Sequence, residues 1–112
     1  MNRLRWKVKF FQTERGGYPV KEFIEKLGKK TYARALRSIT MLQDFGPFLK
    51  MPYSRKIAPQ LYELRVKGAE AIRIFYTQVG QKYYLLHVFK KKKQKIPRKE
   101  IKIALDRVKE LR

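Results

Sequence analysis

The sequence predicts an α+β fold in which helices cover one face of a mostly antiparallel, four-stranded sheet. Two patterns favour this class. Apolar residues alternate with polar ones near the N-terminus and again between residues 61 and 89, whereas they recur every three or four positions in three other segments. Short joints that contain glycine separate the later strands, which is typical of an antiparallel meander. The predicted order, within one domain spanning residues 1–112, is β-α-α-β-β-β-α.

The first strand is predicted from Arg3 to Phe11, where apolar and basic side chains alternate. The side chains expected to face the core are Leu4, Trp6, Val8 and Phe10. The other face of this strand carries Arg and Lys, so its outer surface is basic. Arg15-Gly16-Gly17 interrupts the alternation and ends the strand.

Two amphipathic helices follow and form a hairpin with a very short joint. The first has apolar residues at helical spacing, namely Val20, Phe23, Ile24 and Leu27, and Gly28 is placed to end it. Thr31 is the expected N-cap of the second helix. The apolar face of that helix is formed by Tyr32, Ala35, Leu36, Ile39, Leu42 and Phe45. Gly46-Pro47 ends it.

Residues 47–59 are predicted to form an irregular loop because prolines occupy positions 47, 52 and 59. Three strands of alternating polarity come next, with joints at residues 67–70 and 80–81. Pro97 suits the first turn of a last helix, and Glu100 lies near its positive end. The apolar face of this helix is formed by Ile101, Ala104, Leu105, Val108 and Leu111.

The register of the three strands decides which side chains share a face of the sheet. With three-residue joints at 68–70 and 80–82, Arg65 lies opposite Arg73, and Phe75 lies opposite both Glu63 and His87. We prefer this register because the other face then forms a continuous core of Tyr62, Leu64, Val66, Ile72, Ile74, Tyr76, Tyr84, Leu86 and Val88. A one-residue slip in the second hairpin is the alternative, and it would send His87 into the core.

The charge balance indicates a polyanionic partner. The chain has 29 Lys and Arg against nine Asp and Glu, which gives a formal net charge of +20 at pH 7. Such a surface attracts the phosphates of nucleic acid. A merely solubilising surface or an anionic membrane is the alternative, but no basic amphipathic helix is obviously built for a bilayer.

Other classes of protein are disfavoured by composition. The chain has no cysteine and one histidine, which excludes disulfides, thiolate nucleophiles and thiolate metal sites, so neither a metal nor a cofactor is expected. No segment has the composition of a signal peptide or a membrane span, so we expect a cytoplasmic protein without a membrane partner.

The densest group of cations lies between the last strand and the last helix. Its members are Lys90, Lys91, Lys92, Lys93, Lys95, Arg98, Lys99 and Lys102. Like charges at this density repel one another unless an anion relieves them, so we expect this segment to bind phosphate. A solvated loop is the alternative interpretation.

The open face of the predicted sheet carries candidate catalytic groups. Arg65 and Arg73 would hold phosphate through paired hydrogen bonds, and His87 or Glu63 would move protons. A purely structural role is the alternative for both proton-transfer candidates. Glu63 would then do no more than pair with Arg65, and His87 would be an ordinary strand residue. Arg73 is harder to explain structurally, since it interrupts an apolar run.

Two aromatic residues, Phe75 and Phe89, lie on the same face of the predicted sheet. Aromatic rings on an open, basic sheet face stack on unpaired bases. We therefore expect both rings to contact RNA beside the arginines.

Taken together, these segments resemble the phage-derived, HigB-like branch of the RelE-type toxins. The resemblance covers residues 61–111, and the β-α-α opening also fits. The matching segments are Leu61-Tyr62-Glu63-Leu64-Arg65, Arg73-Ile74-Phe75-Tyr76, His87-Val88-Phe89-Lys90-Lys91 and Pro97-Arg98-Lys99-Glu100-Ile101 with Ala104. The resemblance implies a RelE-like fold and the toxin of a toxin–antitoxin pair, which cleaves mRNA on the ribosome. It also implies a helix-turn-helix, HigA-like antitoxin as the partner.

The resemblance assigns the chemistry to basic residues of the equivalent strands, which here are Arg65, Arg73 and the Lys90–Lys93 segment. On this interpretation Lys91 is catalytic with the two arginines, and Lys90, Lys92, Lys93 and Lys95 hold the RNA backbone. Some relatives have a functional Tyr or His after the last helix, and this sequence has none there, which leaves the general acid and base unassigned. The alternative function is a non-catalytic, basic RNA- or ribosome-binding protein.

Overall fold

The computed structural model describes residues 5–68 and 70–111 and contains five strands and three helices. The strands are β1 (Lys7–Phe10), β2 (Ser54–Ala58), β3 (Leu61–Val66), β4 (Ile72–Val79) and β5 (Lys82–Lys90). The helices are α1 (Pro19–Glu25), α2 (Lys29–Phe45) and α3 (Arg98–Glu110), with a 3₁₀ turn at Gly46–Phe48. Arg3 and Leu4, the first residues of the predicted strand, lie outside the described part of the chain.

The sheet has five strands in the order β1-β5-β4-β3-β2 and is mixed, so the prediction of four mostly antiparallel strands is wrong in detail. Strand β2 lies within the segment predicted as a loop. Pro52 and Pro59 flank this edge strand rather than interrupt it, which a sheet edge tolerates. The turn to β3 contains Gln60 at φ 64°, a conformation that Gly or Asn usually signals.

Strand β1 pairs with β5 in parallel, with Val8 opposite Tyr83. The other three pairings, β2–β3, β3–β4 and β4–β5, are antiparallel. The last two confirm the predicted meander, and the β2–β3 pairing was not predicted. Since β1 and β5 are separated by most of the chain, no local joint in the sequence indicates this pairing. Val8 and Phe10 of β1, together with Trp6 just before it, pack against the core as expected.

Helices α1 and α2 cover one face of the sheet. The core between these helices and the sheet contains Val20, Ile24, Ala35, Ile39, Leu42, Leu64, Ile74 and Leu85. Thr31 is not the N-cap of α2, because the helix begins two residues earlier and Gly28 occupies that position. Gly46 ends α2 at φ 50°, and a Cβ at Gly46 would collide with the ring of Trp6. No helix within the described ranges is long and apolar enough to cross a bilayer.

Helix α3 packs on the opposite face, so the expectation that all helices cover one face is wrong. It closes a second core with Phe11, Leu61, Phe75, Leu86, Phe89, Ala104 and Val108. The physical reason is that the central strands carry large apolar residues on both faces, and each apolar face must be covered by an amphipathic helix.

The register of the meander is the predicted one beside the candidate site and differs near the second turn. Arg65 pairs with Arg73, and Phe75 pairs with Glu63 on one side and His87 on the other. Between His87 and the turn, a β-bulge inserts Leu86 into β5, and the turn is two residues long. The bulge places Leu85 in the α1–α2 core, while Leu86 joins the α3 core.

The same bulge corrects the predicted core on the second half of the hairpin. Tyr84 and Leu86 were expected on the same face as Tyr62, but they lie on the α3 side. Tyr83 and Leu85 belong to the α1–α2 core instead.

Candidate functional site

Three arginines from three neighbouring strands surround one buried carboxylate on the α3 side of the sheet. Glu63 in β3 is 0% exposed, and its Oε1 accepts hydrogen bonds from Nε of Arg55 at 3.0 Å and of Arg65 at 3.2 Å. Nε of Arg73 lies 3.4 Å from the other oxygen, Oε2. These four residues, here called the arginine cluster, are brought together by the β2–β3 and β3–β4 registers.

The arginine cluster has an excess of positive charge at a partly exposed surface. Three guanidinium groups and one carboxylate leave a net charge of +2, and the Arg55, Arg65 and Arg73 side chains are 41%, 27% and 15% exposed. Burial lowers the pKa of Arg73, and the charges of Arg65 and Arg55 act in the same direction while Glu63 opposes them. The cluster therefore presents oriented cations, as a site for an anion requires.

Glu63 acts within this arrangement as a positioning group. Its carboxylate is fully buried beneath the guanidinium groups, so a molecule on the surface meets the arginines first. The alternative interpretation from the sequence, a carboxylate that pairs with Arg65, matches this geometry and extends to Arg55 and Arg73. Burying a carboxylate without such partners would be strongly unfavourable.

Arg55 belongs to the arginine cluster and was missed by sequence reasoning. It lies directly across from Glu63 on β2, within the segment predicted as an irregular loop. The signal that could have found it is the polarity of Ser54-Arg55-Lys56-Ile57 followed by a short Pro-containing turn, which is compatible with an exposed edge strand.

His87 lies on the same face of the sheet and pairs with a residue of α3. Its Nε2 is 2.7 Å from Oε1 of Glu100, and both side chains are about one-sixth exposed, at 15% and 16%. The imidazole ring also stacks on Phe89, with 5.9 Å between ring centroids. A carboxylate that orients an imidazole is the arrangement that general acid–base catalysis uses.

Phe75 and Phe89 do not present ring faces to solvent. They are 0% and 6% exposed because α3 covers them, and their rings meet edge to face at 5.1 Å. Stacking on RNA bases needs an accessible ring, so the expectation that both rings contact RNA is wrong. They are instead residues of the α3 core that lie beside Arg73 and His87 on the neighbouring strand.

The lysine segment, residues 90–95, extends from the end of β5 beside the arginine cluster. An open groove of about 480 Å³ lies between this segment and the start of α3, and its lining includes Phe89, Lys92, Lys93, Lys99 and Glu100. Lys92, Lys93 and Lys95 are exposed, and Lys91 is half-buried. Lys90 is held by Glu70, with Nζ 2.9 Å from Oε1. The groove therefore places Glu100, the partner of His87, among these cations.

A protein-family model matches residues 22–109, which is more than half of the chain, and it describes a phage-derived protein, Gp49-like. The chain belongs to the Gp49-like family. This phage-derived family is toxin-like and related to the RelE and HigB toxins. The matched residues of this Gp49-like chain include the arginine cluster, the His87–Glu100 pair and the lysine segment. Comparison with curated proteins finds no match.

Proposed function

We propose that this Gp49-like chain is the toxin of a type II toxin–antitoxin system, of the HigB-like branch, and that it inhibits translation by cleaving mRNA on the ribosome. The observation that carries the proposal is the arginine cluster, which holds three oriented cations on one carboxylate. Family membership supports the toxin part of the proposal. The net charge of +20 supports an RNA-rich target.

The proposed reaction uses the 2′-hydroxyl of the RNA as the nucleophile. The 2′-oxygen forms a bond to the adjacent phosphorus and the bond from phosphorus to the 5′-oxygen breaks, which leaves a 2′,3′-cyclic phosphate and a 5′-hydroxyl. The negative charge that builds up on the phosphate oxygens needs fixed cations, and Arg65, Arg73 and Arg55 are placed to supply them. This route needs no metal ion.

Two proton transfers accompany the reaction, one from the 2′-hydroxyl and one to the departing 5′-oxygen. We assign one of them to His87, because its imidazole is oriented by Glu100, and Glu100 is part of the lining of the groove beside the lysine segment. Since Nε2 faces Glu100, the substrate would meet Nδ1. Lys91 remains the second candidate for a proton transfer, and Lys90, Lys92, Lys93 and Lys95 would hold the RNA backbone.

The alternative proposal is a non-catalytic RNA- or ribosome-binding protein that uses the same basic face. It is favoured by the limited exposure of Arg73, which is 15%. Both proposals predict salt-sensitive binding to ribosomes. Only the toxin proposal predicts cut mRNA.

The proposed partner is a HigA-like, helix-turn-helix antitoxin whose contact surface is acidic, because complementary charge speeds association with a +20 chain. Bound to the helices, such a partner would block access to the ribosome by its size and need not cover the arginine cluster.

The toxin proposal is tested by expressing the chain with and without the gene adjacent to its own. We expect growth and protein synthesis to stop when the chain is expressed alone, to resume on co-expression, and the two proteins to co-purify. Equal growth in both cases, with no complex, would contradict the toxin proposal and favour the binding protein.

A further inference from the structure

A second pocket, here called the tyrosine pocket, lies at the β2 edge of the sheet on the α1–α2 side. Its volume is about 280 Å³. The residues that line it include the segment after α2, the edge of β2, and three tyrosines from β3, β4 and β5, namely Tyr62, Tyr76 and Tyr83. No residue lining this pocket in the described chain is Asp or Glu.

The side chain of Tyr83 is a buried hydrogen-bonding group that the fold leaves without a partner. It is 2% exposed, and its Oη makes no hydrogen bond with the described residues. The neighbouring hydroxyl of Tyr76 is satisfied, since it lies 2.5 Å from Oγ of Ser54. Buried polar groups are nearly always paired, so an orphan hydroxyl on the lining of a pocket points to a ligand that pairs with it.

The Tyr83 hydroxyl is protonated and can act as a hydrogen-bond donor. Burial raises the pKa of Tyr83 to about 12, and the neighbouring Tyr76 and Tyr62 add to the shift. The hydroxyl therefore keeps its proton at physiological pH and can donate a hydrogen bond to a carbonyl or ring nitrogen of a ligand.

Two further features of the pocket indicate that its ligand has an aromatic ring and a negative charge. Tyr62 stacks on Tyr76 with 5.4 Å between ring centroids and 18° between ring planes, and Tyr62 is only half-buried. Its outer side can therefore accept a further ring. Three exposed cations, Lys50, Arg55 and Lys56, are also part of the lining.

We infer that the tyrosine pocket binds one nucleobase of an RNA strand, with the Tyr83 hydroxyl on an edge of the base and the adjoining phosphates on Lys50, Arg55 and Lys56. The inference rests on the proposed function, because it gives that nuclease a subsite for reading sequence. The volume lies just below the roughly 300–1,000 Å³ of pockets for drug-sized ligands, so it suits a single ring system with the rest of the nucleotide outside.

Arg55 connects this pocket to the arginine cluster. It lines the pocket and also donates a hydrogen bond to Glu63 on the α3 side, so it links the two sites around the β2 edge. One RNA strand that crosses this edge can place a phosphate on the arginine cluster and a nearby base in the tyrosine pocket. An acidic peptide would use the same cations, but its Asp and Glu side chains have no aromatic ring that could stack on Tyr62 while hydrogen-bonding Tyr83.

The binding test uses the purified chain, the four 5′-mononucleotides and ribose 5-phosphate, with affinity measured by calorimetry. We expect at least one mononucleotide to bind more tightly than ribose 5-phosphate. Tyr83→Phe, which removes only the hydroxyl, should weaken that mononucleotide by roughly two- to tenfold, the value of one hydrogen bond. Tyr84→Phe is the matched control, since Tyr84 is adjacent on β5 and packs with the α3 core, and it should bind as the wild type does.

Equal affinity for mononucleotides and ribose 5-phosphate, or no effect of Tyr83→Phe, would overturn the inference. Tighter binding of an acidic peptide that competes with the mononucleotide would also overturn it, in favour of a protein ligand. Cleavage of mRNA by the same proteins separates this result from the proposed function. Base-dependent binding without any cleavage would support the tyrosine pocket as a base-binding site and contradict the nuclease proposal. Cleavage whose sequence preference is unchanged in Tyr83→Phe would support the nuclease proposal and contradict a base-reading role of the pocket.

Discussion

Glu63 fixes the position of three guanidinium groups, and this role predicts a large effect of its charge on stability. Glu63→Gln keeps the shape of the side chain and removes the negative charge, so the arginines of the cluster are left to repel one another. Because Glu63 is fully buried, we expect a loss of about 2–4 kcal/mol in the free energy of unfolding, measured by urea denaturation. Glu70→Gln, which breaks the exposed pair with Lys90, is the control and should have a much smaller effect. Equal stability of Glu63→Gln and the wild type would show that Glu63 does not hold the arginine cluster.

Arg73 is the arginine of the cluster that is hardest to explain by structure alone, since it interrupts the apolar run of β4 and pairs with Phe89 on β5. Arg73→Ala leaves Glu63 with two arginines, so the protein should fold. Loss of one fixed charge contact to a transition state typically costs about 2.7–4 kcal/mol, so mRNA cleavage on translating ribosomes should fall by at least about tenfold. Arg37→Ala, which removes an exposed arginine of α2, should leave cleavage unchanged. A folded Arg73→Ala protein with full activity would remove Arg73 from the site.

Tyr83 predicts how stability depends on alkaline pH. Its pKa is about 12 in the folded chain against an ordinary value of 10, so the unfolded chain ionises first as pH rises. The stability that this tyrosine contributes is fully present below pH 10 and is lost between about pH 10 and 12. Urea midpoints should therefore fall over this range, and they should fall less steeply in Tyr83→Phe. Identical slopes in the two proteins would mean that Tyr83 is not buried as described.

Among the secondary-structure elements, the β3–β4–β5 meander was the most predictable from the sequence. Short glycine-containing joints and a continuous apolar face fixed the pairs that place Arg65, Arg73 and His87 on one side. The bulge at Leu86 was not predictable, because Tyr83–Phe89 is apolar at nearly every position and fits either face. Strand β2 was missed since its turn uses Gln60 in a left-handed conformation without a Gly or Asn to signal it.

The same limits explain how much of the candidate site was predicted. Glu63, Arg65 and Arg73 were expected on one face, and the structure places them there. Arg55 was missed with its strand. The pairing of His87 with Glu100 was missed because it depends on α3 packing on the face that was expected to be open. This is a long-range contact, which no local sequence pattern predicts.

The lysine segment predicts a salt-dependent contribution to ribosome binding. Replacing Lys91, Lys92 and Lys93 by Gln should weaken binding, and each lost phosphate contact should reduce the slope of log K against log salt by about 0.7 to 0.9. The matched control replaces Lys26, Lys29 and Lys30 around the α1–α2 joint, which changes the net charge equally. Ribosome affinity measured over a range of salt concentrations distinguishes the two. Equal effects in both variants would show that only net charge matters, and no effect would make the lysine segment a solvated loop.

Considered as a whole, the molecule covers the two faces of its sheet unequally. One face is covered by α1 and α2, and the other is covered by α3 only in part, which leaves the arginine cluster accessible beside the apolar core. The net charge of +20 predicts that the molecule binds polyanions, but charge alone does not distinguish a nuclease from a binding protein. That distinction depends on the orientation of a few groups within one face.

The central claim is that the arginine cluster promotes attack by the 2′-hydroxyl of the RNA on the adjacent phosphate. The chemical structure of the cut ends tests this claim most directly. The measurement is the 3′-terminal structure of mRNA fragments recovered from translating ribosomes incubated with the purified chain. The account predicts that each cut leaves an upstream fragment that ends in a 2′,3′-cyclic phosphate and a downstream fragment that begins with a 5′-hydroxyl. Arg73→Ala should yield at least about tenfold fewer fragments of both kinds. Intact mRNA on ribosomes that bind the chain, or fragments that end in a 3′-hydroxyl, would contradict it.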